Sequence, residues 1–183
     1  ESIGKGRFGD WLKNVQDWGI SRNRYWGTPL NIWTCECGHM HSIGSIEELK
    51  SMSDNCPDNV ELHRPFIDAV TIKCPHCGKE VSRVSDIGDV WLDAGIVPFS
   101  TLDYFTDRES WEKNFPAEWV TEMHEQVRLW FYSMLFMSTV LVGKAPYERV
   151  VTNGMVVAED GSKFSKTGFM IKFDEAAEKI GAD

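Results

Sequence analysis

Four of the five cysteines fall into two short pairs, Cys35-Glu36-Cys37 and Cys74-Pro75-His76-Cys77, each followed directly by glycine. A tight Cys-Pro-x-Cys-Gly turn aims two thiolates at one point, and two such turns build a closed tetrahedral sulfur site for zinc. Unliganded buried thiols are the competing reading. The clasp makes the chain between the pairs a small knuckle-bearing insertion. Cys35 and Cys37 are closer in sequence than the usual two-residue gap, so His39, His41 and Cys56 stay open as replacement ligands. A closed site leaves no position for water, so its zinc would be structural. His63 and His124 read as ordinary hydrogen-bonded polar residues.

With 183 residues and 42% hydrophobic content the chain can bury a core, as one domain or a domain with a small satellite. No apolar run approaches the roughly 18 residues of a membrane helix, and no basic-then-apolar start resembles a signal peptide. A cytoplasmic setting with no membrane partner is expected, in which five cysteines are not a disulfide framework. The formal charge of -9 argues against broad attraction to nucleic acid. A chain that opens on Glu1 and stops at Asp183, just past Gly181, reads as an excerpt of a longer protein.

Along the chain, Trp11, Leu12, Val15 and Trp18 predict a short amphipathic helix over 10–18, capped by Asp10 and ended by Gly19. The following stretch, Ile20 to Leu30, carries Arg22 and Arg24 among polar and aromatic residues; pinning onto acidic neighbours is favoured over holding phosphate or RNA. Ser45 and Glu48 have capping-box spacing for a helix ending at Met52. Strands are expected at 69–73 and 81–84, flanking the second cysteine pair. Val90-Trp91-Leu92 reads as a buried strand followed by a turn, and Thr106 with Glu109 as the start of a helix that stops before Pro116. The longest helical candidate, 125–142, has almost no polar face and should be mostly buried. A strand at 150–152 follows, and a final helix from Phe173 to Ile180 has Asp174 as its expected cap. Alternating strands and helices predict an α/β sheet that binds its ligand at strand ends.

After the 150–152 strand comes Glu159-Asp160-Gly161-Ser162-Lys163-Phe164-Ser165-Lys166-Thr167. Two lysines three positions apart, beside hydroxyl residues on a glycine turn, suit neutralising a departing anionic group such as pyrophosphate. A solvated basic turn is the plain alternative.

Together these stretches resemble the carboxyl-side half of the catalytic domain of class I aminoacyl-tRNA synthetases. The likeness is strongest to the isoleucyl-tRNA synthetases, with the valyl-tRNA synthetases as the alternative. It covers nearly the whole chain and rests on Asp17 to Leu30, the cysteine pairs, Leu62 to Asp68, Asp89 to Gly95, Glu122 to Phe131, and Lys163-Phe164-Ser165-Lys166-Thr167. That last run is similar to the family's Lys-Met-Ser-Lys-Ser loop.

The resemblance implies a partial Rossmann-like nucleotide-binding domain with a small zinc-ribbon-like insertion. Residues 1–30 would join the catalytic core, 31–85 would form the insertion, and 86–183 the second half of the core. It implies that Lys166 neutralises pyrophosphate with help from Lys163 and Ser165. Glu122, Glu125 and Gln126 would contact the ribose and aminoacyl part of an adenylate. Trp91 and Trp130 would wall an aliphatic pocket, against a plain role in core packing, and the backbone of Gly154, Met155 and Val156 would meet adenine. Glu125 stands where the family usually has Asp, and Met123 and Leu129 where it usually has Gly. The implied partners are tRNA, ATP with Mg, and isoleucine, in a monomeric parent. The family's His-x-Gly-His motif does not occur in this sequence, so the chain alone is expected to catalyse no exchange between ATP and pyrophosphate.

A non-catalytic zinc-ribbon module that binds RNA or protein is the reading from another functional class.

Overall fold

The computed structural model describes residues 2–181. A π-helical turn, Ser2–Phe8, runs directly into α1, Gly9–Lys13. The expected helix over 10–18 is therefore displaced. Asp10 lies inside α1 rather than capping it, and Asn14 closes the helix by donating from Nδ2 to the Asp10 carbonyl at 2.8 Å. The continuation is lost because Trp18 gives its indole N–H to the Asp89 carboxylate at 2.9 Å, which draws the chain away from the helix axis.

Strand β1, Ser21–Arg22, pairs antiparallel with Ile87–Gly88 and so encloses the cysteine module. Within the module β2, Ile32–Thr34, and β3, Met40–Ser42, form one hairpin. After α2, Ile46–Met52, the strands β4, Ile72–Lys73, and β5, Glu80–Val81, form a second. Each hairpin carries a cysteine pair at its tip, where Gly38 (φ 85°) and Gly78 (φ 74°) take the left-handed conformation that a side chain disfavours. The core beneath is apolar: Trp33, Ile43, Leu49, Ile67, Val70, Ile72 and Val81 are buried together. The Trp33 indole N–H is satisfied by the Val70 carbonyl at 3.1 Å.

Ser45 caps α2 as predicted, accepting from the Glu48 N–H at 3.0 Å. The Glu48 carboxylate accepts from the Gly44 N–H at 2.7 Å, so it reaches one residue beyond the usual box. Both strands of the second hairpin are shorter than expected. Ile67–Ala69 is a 3₁₀ turn, and at the other end Arg83 turns inward. Its guanidinium donates to the carbonyls of Leu30 and Asp86, each at 2.9 Å, and pairs with the Asp68 carboxylate.

Beyond the module come β6, Ile87–Gly88, α3, Val90–Gly95, α4, Val97–Ser100, and α5, Arg108–Asn114. The predicted buried strand at Val90-Trp91-Leu92 is thus the first turn of a helix, with Val90 66% exposed. Asp89 decides this, because its carboxylate accepts from the Trp91 N–H at 3.0 Å and ends the β ladder at Gly88. Asp107 rather than Thr106 caps α5, accepting from the Ser110 N–H at 3.0 Å. Phe99, Trp111 and Phe115 form a second, aromatic core.

The remaining chain contains a βαβ unit: β7, Val120–Met123, then α6, Trp130–Val142, then β8, Val150–Asn153, parallel to β7. The predicted helix from 125 begins at Trp130, because His124–Arg128 is a 3₁₀ turn. Its far end is less buried than expected: Val140 and Leu141 are exposed, whereas Phe131, Ser133, Met134 and Ser138 are buried. Gly143 ends it in the left-handed conformation. A third core of Val127, Phe131 and Met134 sits under the parallel strands. The final helix α7, Phe173–Ile180, has the predicted bounds, but Asp174 lies in its first turn and Lys172 occupies the cap position with no side-chain hydrogen bond.

The architecture is mixed α/β. Among the described residues the strands form four two-stranded ladders, of which only β7–β8 is parallel, instead of one continuous sheet. No described helix is long and apolar enough to cross a membrane.

Candidate active site and metal cluster

Strands β7 and β8 run in register, Glu122 opposite Thr152 and Met123 opposite Asn153, so both end at the same edge. That edge is where parallel α/β units present ligand-binding loops. Glu122 projects there, its carboxylate accepting from the Met123 N–H at 3.0 Å. On the neighbouring strand end, Asn153 donates to the Gly154 carbonyl at 3.1 Å, Met155 is half-buried and Val156 is exposed. The chain then folds back on itself: Val157 bridges to Lys163, the Ala158 N–H donates to the Ser162 carbonyl at 2.9 Å, and the Gly161 N–H to the Ala158 carbonyl at 2.8 Å. Hydrogen bonds from Ser162 hold the Asp160 carboxyl below its ordinary range.

This hairpin carries Lys163 to the 3₁₀ turn, 3.8 Å from the Glu125 carboxylate. Lys166 is exposed and makes no ion pair among the described residues, while the Ser165 carbonyl accepts from the Gly168 N–H at 3.2 Å. Phe164, half-buried, meets the Phe169 ring edge to face at 5.7 Å. Gln126 accepts from the Trp130 N–H at 3.1 Å, so its side-chain oxygen is the cap of α6. Trp130 in turn donates its indole N–H to the Ala94 carbonyl at 3.0 Å, tying α6 to α3.

Trp91 lies on α3 in the wall of a cavity of about 190 Å³, opposite Trp11 and Trp18 and beside Leu129 and Tyr132. Trp130 does not line that cavity. The two indoles are therefore on adjacent helices without sharing this space. Neither Met123 nor Leu129 has a positive φ, since Asp103 is the one non-glycine among the described residues that does.

Asp89, for which no individual role was expected, is the hub behind this region. It is buried, pairs with Arg22, and accepts from the Trp18 indole and the Trp91 N–H. Burial alone would raise its pKa, but those donors hold it below the ordinary carboxylate value. The signal in the sequence was an Asp directly before an apolar helical turn. Arg22 is thus pinned onto an acid, as expected, and Arg64 donates to the Arg24 carbonyl at 3.1 Å while pairing with Asp68 at 2.6 Å.

In the module the four sulfurs of Cys35, Cys37, Cys74 and Cys77 lie within 4.8 Å of one another. Cys35 Sγ is 3.5 Å from Cys77 Sγ, and Cys37 Sγ is 3.8 Å from Cys74 Sγ. A tetrahedral site with Zn–S bonds of about 2.3 Å has sulfur–sulfur edges of about 3.8 Å. The one-residue gap is absorbed by a tighter turn: the Gly38 N–H donates to the Cys35 carbonyl at 2.9 Å, whereas the Gly78 N–H reaches back four residues to Cys74 at 2.7 Å. The histidines and Cys56 are not in the cluster.

Three of the thiols are perturbed by their surroundings, in opposite directions. His41, through its ring, is the chief reason Cys74 is lowered to about 5. A backbone hydrogen bond at His39 favours the Cys37 thiolate, yet the neighbouring sulfurs and burial push that thiol up to about 12, and Cys77 is raised as well. A divalent cation would supply the charge that favours the thiolate at Cys37 and Cys77.

All of residues 1–183 match the family described as tRNA synthetases class I (I, L, M and V). The chain belongs to the class I tRNA synthetases. Among curated members of this family it is 49% identical over 185 residues to the isoleucine–tRNA ligase of Clostridium novyi (strain NT), covering 100% of the chain and 18% of that protein. It is 46% identical over 169 residues to the isoleucine–tRNA ligase of Streptomyces avermitilis, covering 91% of the chain and 16% of that protein. The chain thus spans less than a fifth of the length of these synthetases. In fold, it is similar to a LeuRS from Agrobacterium radiobacter K84 solved as a ternary complex with tRNA and LeuAMS, with a TM-score of 0.63 and 22% identity, covering 99% of this chain and 26% of that one.

Proposed function

We propose that this chain forms the carboxyl-side half of the catalytic domain of an isoleucine-activating synthetase, with the partial Rossmann-like core in 86–183, the zinc-ribbon-like insertion in 31–85 and a joining segment in 1–30. The parent activates isoleucine with ATP and passes the acyl group to tRNA. The similarity to isoleucine–tRNA ligases from several bacteria favours isoleucine over valine as the amino acid.

The observation that supports this best is the approach of Lys163 to Glu125, which sets the two-lysine turn against the 3₁₀ turn between β7 and α6. In that position Lys166 neutralises the charge that develops on departing pyrophosphate when the isoleucine carboxylate attacks the α-phosphate of ATP. Lys163 and Ser165 assist it. These contacts strengthen as the transition state forms, which is what accelerates the step. Glu122 and Gln126 bind the ribose and aminoacyl portion of the adenylate, and Glu125 contributes a negative charge that Lys163 neutralises while ATP is absent. The backbone from Gly154 to Val156 meets adenine, and Trp91 and Trp130 face the aliphatic side chain.

Mg accompanies ATP as part of the substrate. Zinc fits Cys35, Cys37, Cys74 and Cys77, where it would hold the two hairpins together without a coordination position open to substrate. One methylene in an apolar pocket is worth only about 1–3 kcal/mol, a limit for which isoleucine and valine are the standard illustration, so discrimination depends on how firmly the pocket walls are held.

The test is Lys166→Ala in the full-length parent. Isoleucine-dependent exchange between ATP and pyrophosphate is expected to fall by about 10²–10³, the size of effect seen when one transition-state donor is removed, with no change in thermal unfolding. Exchange unchanged by Lys163→Ala and Lys166→Ala together overturns the adenylation reading and leaves a metal-bearing binding module.

A further inference from the structure

Helices α3 and α6 approach at one point more closely than side chains normally allow. A methyl group added at Gly95 would lie 2.8 Å from both the carbonyl carbon and the carbonyl oxygen of Ser133, and 3.0 Å from its Cβ. The obstacle is mainly backbone, so a rotamer change cannot relieve it. Ser133 is itself buried and fixed: its N–H donates to the Leu129 carbonyl at 2.8 Å, and its hydroxyl to the Trp130 carbonyl at 3.1 Å. One residue before Gly95, the Ala94 carbonyl accepts the Trp130 indole N–H at 3.0 Å. At the other end of α3, Asp89 caps the Trp91 N–H and is anchored by Arg22 and Trp18.

We propose that Gly95 is a positioning residue that sets the separation between the helix carrying Trp91 and the helix carrying Trp130, and through it the preference for isoleucine over valine. The proposal rests on the functional reading above. Interiors are packed so that even one methylene is felt, and well-placed walls are what a pocket for a branched side chain needs. A methyl group at 95 must push α3 from α6 by several tenths of an ångström and pull the Trp130 indole off the Ala94 carbonyl. The contact acts on the two tryptophans and not on the lysine turn, which lies on the strand ends beyond the 3₁₀ segment.

In the full-length synthetase, Gly95→Ala is expected to raise the KM for isoleucine at least tenfold and to reduce the isoleucine-over-valine ratio of kcat/KM at least threefold. The KM for ATP should stay within twofold, with rates normalised to titrated active sites. A purely structural role would lower the active fraction and leave both amino-acid parameters unchanged, and that result overturns the proposal. If Gly95→Ala does not yield folded enzyme, Ser133→Gly loosens the same helix contact from the other side and leaves both tryptophans in place. A reduced isoleucine-over-valine ratio of kcat/KM with unchanged ATP KM is expected there, and an unchanged ratio overturns the proposal. Lys166→Ala separates the two layers: if it lowers exchange as expected while the position-95 and position-133 variants leave amino-acid selection untouched, the adenylation reading stands and only this inference fails.

Discussion

The cysteine module and the two-lysine segment are built on opposite principles. Between residues 31 and 85, two short hairpins and one helix bury Trp33, Leu49, Ile67, Val70 and Ile72 together, and the module closes on four sulfurs and an internal arginine. From Gly154 to Gly181 no described residue is buried, and Val156, Phe169, Phe173 and Ile180 all face outward. Its hydrogen bonds are local turns, and its one tie to the earlier chain among the described ion pairs is the exposed contact of Lys163 with Glu125. The first region specifies its own structure. The second holds two exposed lysines on local turns, and segments of low local stability are the ones that can exchange protein partners for a ligand.

Metal removal is the hardest test of that contrast. Structural zinc in small modules contributes on the order of 10 kcal/mol. Chelation, or Cys74→Ala, is therefore expected to expose the amides of β2 to β5 to rapid hydrogen exchange while β7 and β8 keep their protection. Retained protection in the module after complete loss of zinc would mean that its apolar core suffices alone.

Arg83 gives the next largest effect. Its side chain is 1% exposed and is shared between the Asp68 carboxylate and two carbonyls, so Arg83→Ala leaves those acceptors unpaired. Breaking such a buried pair costs about 3–5 kcal/mol; because Asp68 also pairs with Arg64, the lower figure applies. Amide exchange at Ile72 should accelerate about a hundredfold. Burial opposes ionisation of Asp68, but the two arginines hold its pKa below the ordinary value. A carboxylate depressed in the folded state stabilises fully above its unfolded pKa, near 3.9, and that stability is lost as pH falls through the folded value. The module should therefore lose stability below about pH 4, and Arg83→Ala should shrink that acid dependence. An acid limb of the same size in the variant would assign it to other groups.

The smallest effect belongs to the contact at the other pole. Both partners of the Lys163–Glu125 pair are largely exposed, with side chains 72% and 47% accessible, so Glu125→Gln should alter stability by less than about 1 kcal/mol. It should nonetheless change the ATP concentration dependence of exchange by a few-fold, because Lys163 loses its resting partner. A stability loss comparable to that of Arg83→Ala would show that the lysine segment is held as firmly as the module.

Several features followed from sequence alone because they depend on residues close together in the chain. The knuckle turns, the Ser45 cap, the stop before Pro116 and the bounds of α7 are of this kind, since each is decided by one or two neighbours. The cysteine cluster was also legible, because a tetrahedral sulfur site leaves little freedom once two tight pairs exist. Tertiary structure alone decided whether Val90-Trp91-Leu92 was strand or helix, because a three-residue apolar run fits either and only Asp89, held by Trp18 and Arg22, breaks the tie. It likewise decided where the first helix stops, the interior role of Arg83, and the close pass of Gly95 by Ser133. In each of these the controlling partner lies far away in sequence, and the energy of satisfying a buried donor or acceptor overrides the local preference.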